Sequence, residues 1–118
     1  MTHTSFIIYD VVNTSEDIVK INVKIGNGQL ASTLVKLEDK IIDDFDNSFE
    51  INLGECKQVV KKSAHLFTTI HDINPDNNEI SMKLEISGGK KVFKQTVIES
   101  SVPQHGDSAT ALISIAFI

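Results

Sequence analysis

This sequence contains no arginine, no tryptophan and a single cysteine, and each of these shortages excludes a class of site or function. All 11 basic residues are lysines, so no side chain can hold a phosphate, a carboxylate or a guanine base through two parallel hydrogen bonds. The formal net charge of −5 further argues against a nucleic-acid partner, because phosphate binding depends on clusters of basic residues. Without tryptophan and with one tyrosine, the chain also lacks the aromatic faces of a typical sugar-binding surface.

Cys56 is the only cysteine, which excludes an intramolecular disulfide and favours a reducing, cytoplasmic compartment. The first residues, MTHTSFIIYDVV, carry no basic leader, and their apolar run stops at Asp10, so we do not predict a signal peptide. No apolar stretch approaches the roughly 20 residues of a membrane-spanning helix. The sequence therefore predicts a soluble protein with no membrane partner.

Short apolar runs of alternating pattern predict an all-β chain, because successive side chains of a strand point to opposite faces. Ile18 to Ile25 alternates cleanly, and Ile80 to Ser87 does the same. The predicted strands are Ser5–Val12, Ile18–Ile25, Leu30–Leu37, Ser48–Leu53, Ala64–Ile73, Ile80–Ser87, Lys91–Glu99 and Thr110–Ile118. We expect residues 55–63 to form a loop or one helical turn.

Two glycine-rich turns predict tight β-hairpins, at Asn27-Gly28 and at Gly88-Gly89. In both cases the expected register places apolar residues opposite one another. The expected pairs are Ile25 with Leu30 and Ile21 with Leu34 at the first turn, and Leu84 with Phe93 and Ile80 with Val97 at the second.

Residues 33–45 admit two interpretations. Leu34, Leu37, Ile41 and Phe45 recur at helical spacing. A helix there would place the acidic run DDFDN at its C-terminal end, where negative charge is unfavourable. We therefore favour a strand followed by a loop over residues 38–47.

About eight short strands in 118 residues predict a single domain, 1–118, built as an antiparallel two-sheet β-sandwich. An immunoglobulin-like arrangement is the preferred version, with a jelly roll or a small β-barrel as alternatives. The Cys-Trp-Cys pattern and the tyrosine corner of immunoglobulin domains are missing. The terminal segments FIIYDVV and LISIAFI are apolar on both faces, so we expect each to lie centrally in a sheet or to form an intermolecular contact.

If consecutive strands alternate in direction, the predicted loops sort onto two ends of the sandwich. One end would collect Asn13–Asp17, Glu38–Asn47, Asp72–Glu79 and Ser100–Ser108, and most of the carboxylates with them. The other would collect Asn27-Gly28, Gly54–Ser63 and Gly88-Gly89. Because loops on a rigid sandwich often carry binding residues, the acidic end is a candidate surface. The carboxylates expected there are Glu16, Asp17, Glu38, Asp39, Asp43, Asp44, Asp46, Asp72, Asp76, Glu79, Glu99 and Asp107.

The acidic loops 38–47 and 72–79 offer oxygen ligands of the kind that calcium prefers. The segment DINPDNNE does not fit an EF-hand, because Asn77 stands at the sixth position and Lys83 at the twelfth. Asparagine, proline and aspartate also form turns through their own backbone preferences, which is the simpler interpretation. We therefore predict no metal and no cofactor, and name as weak calcium candidates Asp43, Asp44, Asp46, Asp72, Asn74 and Asp76.

No catalytic motif is present. Cys56 precedes a lysine-rich segment but has no base placed by a motif, and His65 and His71 are too far apart along one strand to share a metal. We therefore expect no enzyme. The leading hypothesis is a protein-interaction or structural module that binds a protein partner, or a second copy of itself, through loops at the acidic end or through edge strands. The alternative is a calcium-assisted carbohydrate-binding or adhesion module that uses loops 38–47 and 72–79.

Overall fold

The computed structural model describes residues 2–12 and 16–118. This part of the chain contains nine strands and a four-residue helix. The strands are β1 (Thr2–Tyr9), β2 (Ile18–Ile25), β3 (Leu30–Leu37), β4 (Lys40–Asp46), β5 (Phe49–Glu55), β6 (Ser63–His71), β7 (Glu79–Ser87), β8 (Phe93–Ser101) and β9 (Ser108–Phe117), and the helix is α1 (Cys56–Val59).

The strands form two sheets that pack face to face. The five-stranded sheet has the order β1-β9-β6-β3-β4, and the four-stranded sheet has the order β5-β2-β7-β8. All neighbouring pairs are antiparallel except β1 and β9, which run parallel. The predicted all-β two-sheet sandwich is confirmed.

The alternating residues of the inner strands fill the space between the sheets. Val19, Ile21 and Val23 of β2 are fully buried, and they face the other sheet because β2 alternates between apolar and polar residues. One polar pair lies within this core: the hydroxyls of Thr33 and Thr68 hydrogen-bond at 2.8 Å and are both buried. The pair satisfies both hydroxyls, which an apolar core otherwise leaves without partners.

The turn at Asn27-Gly28 joins the two sheets and does not form the predicted hairpin. Ile21 lies opposite Ile51 of β5 and Ile86 of β7, whereas Leu34 of β3 lies opposite Phe67. The predicted pairs of Ile21 with Leu34 and Ile25 with Leu30 are therefore wrong. A tight turn brings the chain back on itself, but the packing of apolar faces decides whether the returning strand pairs or crosses to the other sheet.

The Gly88-Gly89 turn does join an antiparallel pair, β7 and β8, but the register differs from the prediction. The connection extends from Gly88 to Val92, so Phe93 lies opposite Ile86, not Leu84. Ile80 lies opposite Ser100, and Val97 is the extra residue of a bulge in β8. The carbonyl oxygen of Ile18 stands 1.8 Å from where a Cβ on Gly88 would be, so only glycine fits at that position.

Residues 40–46 form strand β4, which the sequence interpretation assigned to a loop. The strand pairs antiparallel with β3 at the edge of the five-stranded sheet, and Phe45 is its one half-buried residue, while the others are exposed. An edge strand open to solvent on both faces shows no apolar alternation, which is why its sequence resembles an acidic loop. The helical alternative for residues 33–45 is wrong as well.

The chain passes from one sheet to the other between β2 and β3 and again between β5 and β6. In the two sheets β5 lies beside β2, and β6 lies beside β3. The two-sheet layout is shared with immunoglobulin domains, and the immunoglobulin-like version of the sandwich stays a prediction.

Candidate functional site: the free edge of strand β1

The predicted acidic end does not form, because the additional strand β4 changes the end at which the following loops emerge. Residues 10–12, 16–17, 38–39, 56–62 and 88–92 lie together at what we call the helix end. Backbone hydrogen bonds join them, from Glu38 N to Ser63 O at 2.7 Å and from Cys56 N to Asp17 O at 2.8 Å. Residues 13–15, which belong to the first predicted acidic loop, lie outside the described residues.

The opposite end, called here the Asp72 end, contains residues 26–29, 47–48, 72–78 and 102–107. Asp72 N donates to Asp107 O at 2.9 Å, and Asn74 Nδ2 donates to Asn27 O at 2.8 Å. The carboxylates predicted to share one surface are thus divided between the two ends of the sandwich and strand β4.

The weak calcium candidates are not brought together. Strand β4 contains Asp43, Asp44 and Asp46, all exposed. Asp72 is buried inside the sandwich, directly after the last residue of β6. Asn74 Oδ1 accepts the backbone N–H of Asp76 at 2.9 Å, which is the local turn that asparagine favours. Within residues 2–12 and 16–118, no three acidic, histidine or cysteine side chains are grouped so that they could hold a metal ion.

The other residues considered for chemistry have structural partners. Cys56 is buried, and its thiol donates to the carbonyl oxygen of Gly88 at 3.1 Å. His65 Nδ1 forms a hydrogen bond of 3.0 Å with the hydroxyl of Ser114, which lies on the neighbouring strand β9. These contacts hold the sheets and turns together, and they place no base beside the thiol.

Strand β1 is the feature that stands out on the surface. It lies at the end of the five-stranded sheet, with β9 on one side. Phe6 is 70% exposed and Ile8 is 62% exposed, while Ile7 and Tyr9 between and after them face the core. Of the two apolar terminal strands, β9 therefore takes a central position and β1 an edge.

The three other edge strands carry features that oppose pairing with a further strand. Charged side chains occur in each of them, in β4, β5 and β8. Each also contains one residue that is left over by a shift of register against its neighbour, so each edge is bulged. Natural sheets use charges and bulges in this way to prevent edge-to-edge association.

Strand β1 has neither feature. Its sequence, THTSFIIY, contains no lysine, aspartate or glutamate, and its register with β9 runs without a shift from Thr2 to Tyr9. An edge strand presents a row of unpaired N–H and C=O groups, which a further strand can pair with. Among the described residues, β1 is thus the regular, uncharged edge of the sandwich.

The outer face of the five-stranded sheet carries a second apolar row. Leu34, Phe67 and Leu112 lie opposite one another across β3, β6 and β9. Phe67 is exposed and the other two are half-buried. The row reaches β1 at Thr4, so a segment that paired with the open edge would be separated from it by β1 and would have Phe6 and Ile8 as its apolar neighbours.

The helix end closes the last part of the β1 edge. Lys90 N donates to Asp10 O at 3.0 Å, and the Lys90 ammonium lies 3.6 Å from the Asp10 carboxylate. Gly89 N donates to the Tyr9 hydroxyl at 3.0 Å, and burial raises the pKa of Tyr9 above its ordinary value of 10.0. The edge is therefore open from Thr2 to Ile8.

A groove of about 470 Å³ begins where the open edge ends. Ile8, Val92 and Phe93 supply its apolar part, and Asp10, Lys90 and Lys91 line the rest, with Lys90 paired to Asp10. Of these lysines, Lys91 forms no ion pair with any described residue. An apolar segment with a carboxylate at one end matches this combination of surfaces.

Part of the signal for this site is present in the sequence. Both faces of FIIYDVV are apolar and the first nine residues carry no formal charge, which distinguishes the segment from the other strands. Whether such a strand lies in the middle or at the edge depends on the strand order, which is a property of the whole fold.

The described part of the chain has no helix that is long and apolar enough to cross a membrane. Comparison of the chain with protein-family models, with curated proteins and with solved structures finds no match.

Proposed function

We propose that this protein is a non-enzymatic interaction module that binds an extended segment of a protein partner along strand β1. The observation that carries the proposal is the contrast among the edges: β4, β5 and β8 are charged and bulged, whereas β1 is regular and uncharged. Strand addition at such an edge gains affinity from main-chain hydrogen bonds and specificity from alternate side chains.

The surfaces around β1 define the chemistry of the partner. Phe6 and Ile8 lie on one face of the strand, so the paired segment needs apolar residues at alternate positions on that face. Lys91 lies beyond Ile8 and forms no ion pair with a described residue, whereas Lys90 is paired with Asp10. An acidic residue or a terminal carboxylate at that end of the segment therefore gains one attractive charge, from Lys91. The expected ligand is a short, extended, apolar peptide with one acidic end.

A library of random linear seven-residue peptides, selected on the purified protein, tests the proposal. Phe6→Lys combined with Ile8→Lys places two charges on the open edge, and we expect binding of the selected peptides to weaken at least tenfold. Because both side chains are largely exposed, the double variant keeps its fold. Ile41→Lys is the matched control, since Ile41 is 59% exposed on the opposite edge, β4, and its replacement leaves binding unchanged.

Hydrogen exchange locates the bound segment. We expect the amides of residues 2–8 that point away from β9 to become protected when the peptide binds, because they gain hydrogen-bond partners. Peptides that bind the double variant as tightly as the unaltered protein, or that protect the amides of β4 or β8 instead, would contradict the proposal.

A second copy of the chain is the other occupant that β1 accommodates. In an antiparallel pair with Ile7 opposite Ile7, Phe6 of each copy would lie opposite Ile8 of the other, and no like charges would face each other across the pair. Sedimentation equilibrium distinguishes the two cases. A dimer that the Phe6→Lys, Ile8→Lys variant abolishes identifies self-pairing, and a monomer at all concentrations leaves a separate protein as the partner.

A further inference from the structure

Two lysines of the four-stranded sheet face each other on neighbouring strands. Lys24 of β2 lies directly opposite Lys83 of β7, and both side chains are exposed on the outer face. Neither ammonium forms an ion pair within residues 2–12 and 16–118. Like charges in directly opposite positions of a sheet destabilise it, so this pair is unfavourable in the unbound protein.

Two carboxylates on the same face have partners, whereas Lys20 of β2 forms no ion pair with a described residue. Lys94 of β8 lies 3.8 Å from the carboxylate of Glu85, and Asn22 donates to the carboxylate of Glu50 at 3.4 Å. The chain has 16 acidic residues for 11 lysines, so a shortage of carboxylates does not explain the unmatched pair.

The two lysines line a concavity of about 340 Å³ in the outer face of this sheet. Three ammonium groups and one carboxylate lie around it, which leaves a local charge of +2 on a protein whose net charge is negative. Neutral hydrogen-bond donors complete the lining, from the side chains of Asn22, Gln95 and Thr96. The bulge in β8 at Val97 directly follows Thr96, and bulges increase the local twist of a sheet.

We propose that this concavity binds a phosphate-class dianion, held between the ammonium groups of Lys24 and Lys83. Opposite residues of a sheet have Cβ atoms about 5 Å apart, so the two flexible side chains can converge on one tetrahedral anion. A phosphate monoester carries a charge of about −1.5 to −2 at pH 7, which matches the two unpaired ammonium groups. Binding also removes the repulsion between the two lysines. The site lies on the sheet that does not contain β1, and the proposal is independent of the β1 edge.

A titration followed by ¹H–¹⁵N correlation spectra tests the proposal, with inorganic phosphate as the probe and sodium chloride holding the ionic strength constant. We expect saturable shifts at the amides of residues 22–24, 83–85 and 94–96. Lys24→Gln and Lys83→Gln each weaken binding at least fivefold, because each removes one of the two ammonium contacts. Lys20→Gln is the matched control, since Lys20 is an exposed lysine of the same strand outside the concavity, and its affinity stays within twofold.

One further variant and one further titration make the test more specific. Glu85→Gln removes the carboxylate from the lining, and we expect phosphate to bind about threefold more tightly. A parallel titration with O-phosphoserine separates a site for free phosphate from one for a phosphorylated group, since only the latter gains affinity from the attached residue. Shifts that grow linearly without saturation would overturn the proposal and indicate a general ionic effect. So would Lys24→Gln and Lys83→Gln variants that bind phosphate as tightly as the unaltered protein.

Discussion

Asp72 is a buried carboxylate without a hydrogen-bond partner among the described residues, and its replacement by asparagine should stabilise the protein. The residue continues the inward-facing positions of β6 after Ile70, and its relative exposure is 0%. In the described ranges neither carboxylate oxygen has a hydrogen-bond partner. The backbone holds the residue in place, because Asp72 N donates to Asp107 O and Asp72 O accepts from Gly106 N.

The expected gain follows from this burial. A buried polar group without a partner costs about 1–3 kcal/mol in mutational data, and a buried unpaired charge costs more. Asparagine has nearly the same shape but no charge, so Asp72→Asn removes the ionic part of that cost and creates no cavity. Because asparagine keeps the cost of a buried polar group and loses only the additional cost of the charge, we expect the free energy of unfolding to rise by about 1 kcal/mol and the midpoint of thermal unfolding by roughly 4 °C.

Urea unfolding at pH 7, followed by circular dichroism, measures the change, and differential scanning calorimetry supplies the thermal midpoint. Asp76→Asn is the control, because Asp76 is an exposed aspartate in the same connection, and we expect a change within about 0.5 kcal/mol. A loss of about 1 kcal/mol or more in Asp72→Asn would refute the reasoning, since it would mean that the carboxylate has a favourable partner.

Two further predictions concern buried polar groups. Because burial raises the pKa of Tyr9, the folded chain keeps the phenol proton at a pH above 10 at which the unfolded chain loses it. The stability that comes from the neutral, buried phenol is complete below pH 10 and is lost as the pH rises through the pKa of the folded state. Tyr9→Phe should lower the free energy of unfolding by about 1 kcal/mol at pH 7 through the lost hydrogen bond. In urea unfolding from pH 7 to 11, the stability of this variant should fall less steeply above pH 10 than that of the unaltered protein. Parallel curves of stability against pH for the two proteins would contradict this. Thr33→Val should cost about 1–3 kcal/mol of folding free energy because it leaves the buried Thr68 hydroxyl without a partner. In a double-mutant cycle, Thr33→Val combined with Thr68→Val should cost less than the sum of the single changes, and strict additivity would show that the two hydroxyls do not interact.

The inner strands were predictable because their pattern is local. The alternation from Ile18 to Ile25 coincides with the bounds of β2, and the predicted Leu30–Leu37 coincides with β3. A strand with one face in the core needs an apolar residue at every second position, and this requirement can be read from neighbouring residues alone. Residues 55–63, expected to contain a loop or a helical turn, include the short helix Cys56–Val59.

Strand β4 and the two candidate surfaces were less accessible to such reasoning. Residues 40–46 have no buried face and therefore no alternation, so the sequence did not distinguish an edge strand from a loop. That one omission moved every later loop to the opposite end and produced an acidic end that does not form. The juxtaposition of Lys24 with Lys83 was likewise not predicted, because the two residues lie on strands that are distant in the sequence.

The sequence by itself determined that the chain is all-β, which residues of the alternating strands β2 and β7 face the core, and that residues 2–9 carry no formal charge. Only the tertiary structure decided that β1 lies at an edge while β9, which is also apolar on both faces, lies inside the same sheet between β1 and β6. The physical reason is that side-chain alternation is set by the geometry of one strand, whereas strand order is set by contacts between segments distant along the chain. For this reason the uncharged edge and the unmatched lysine pair become visible only in the folded molecule.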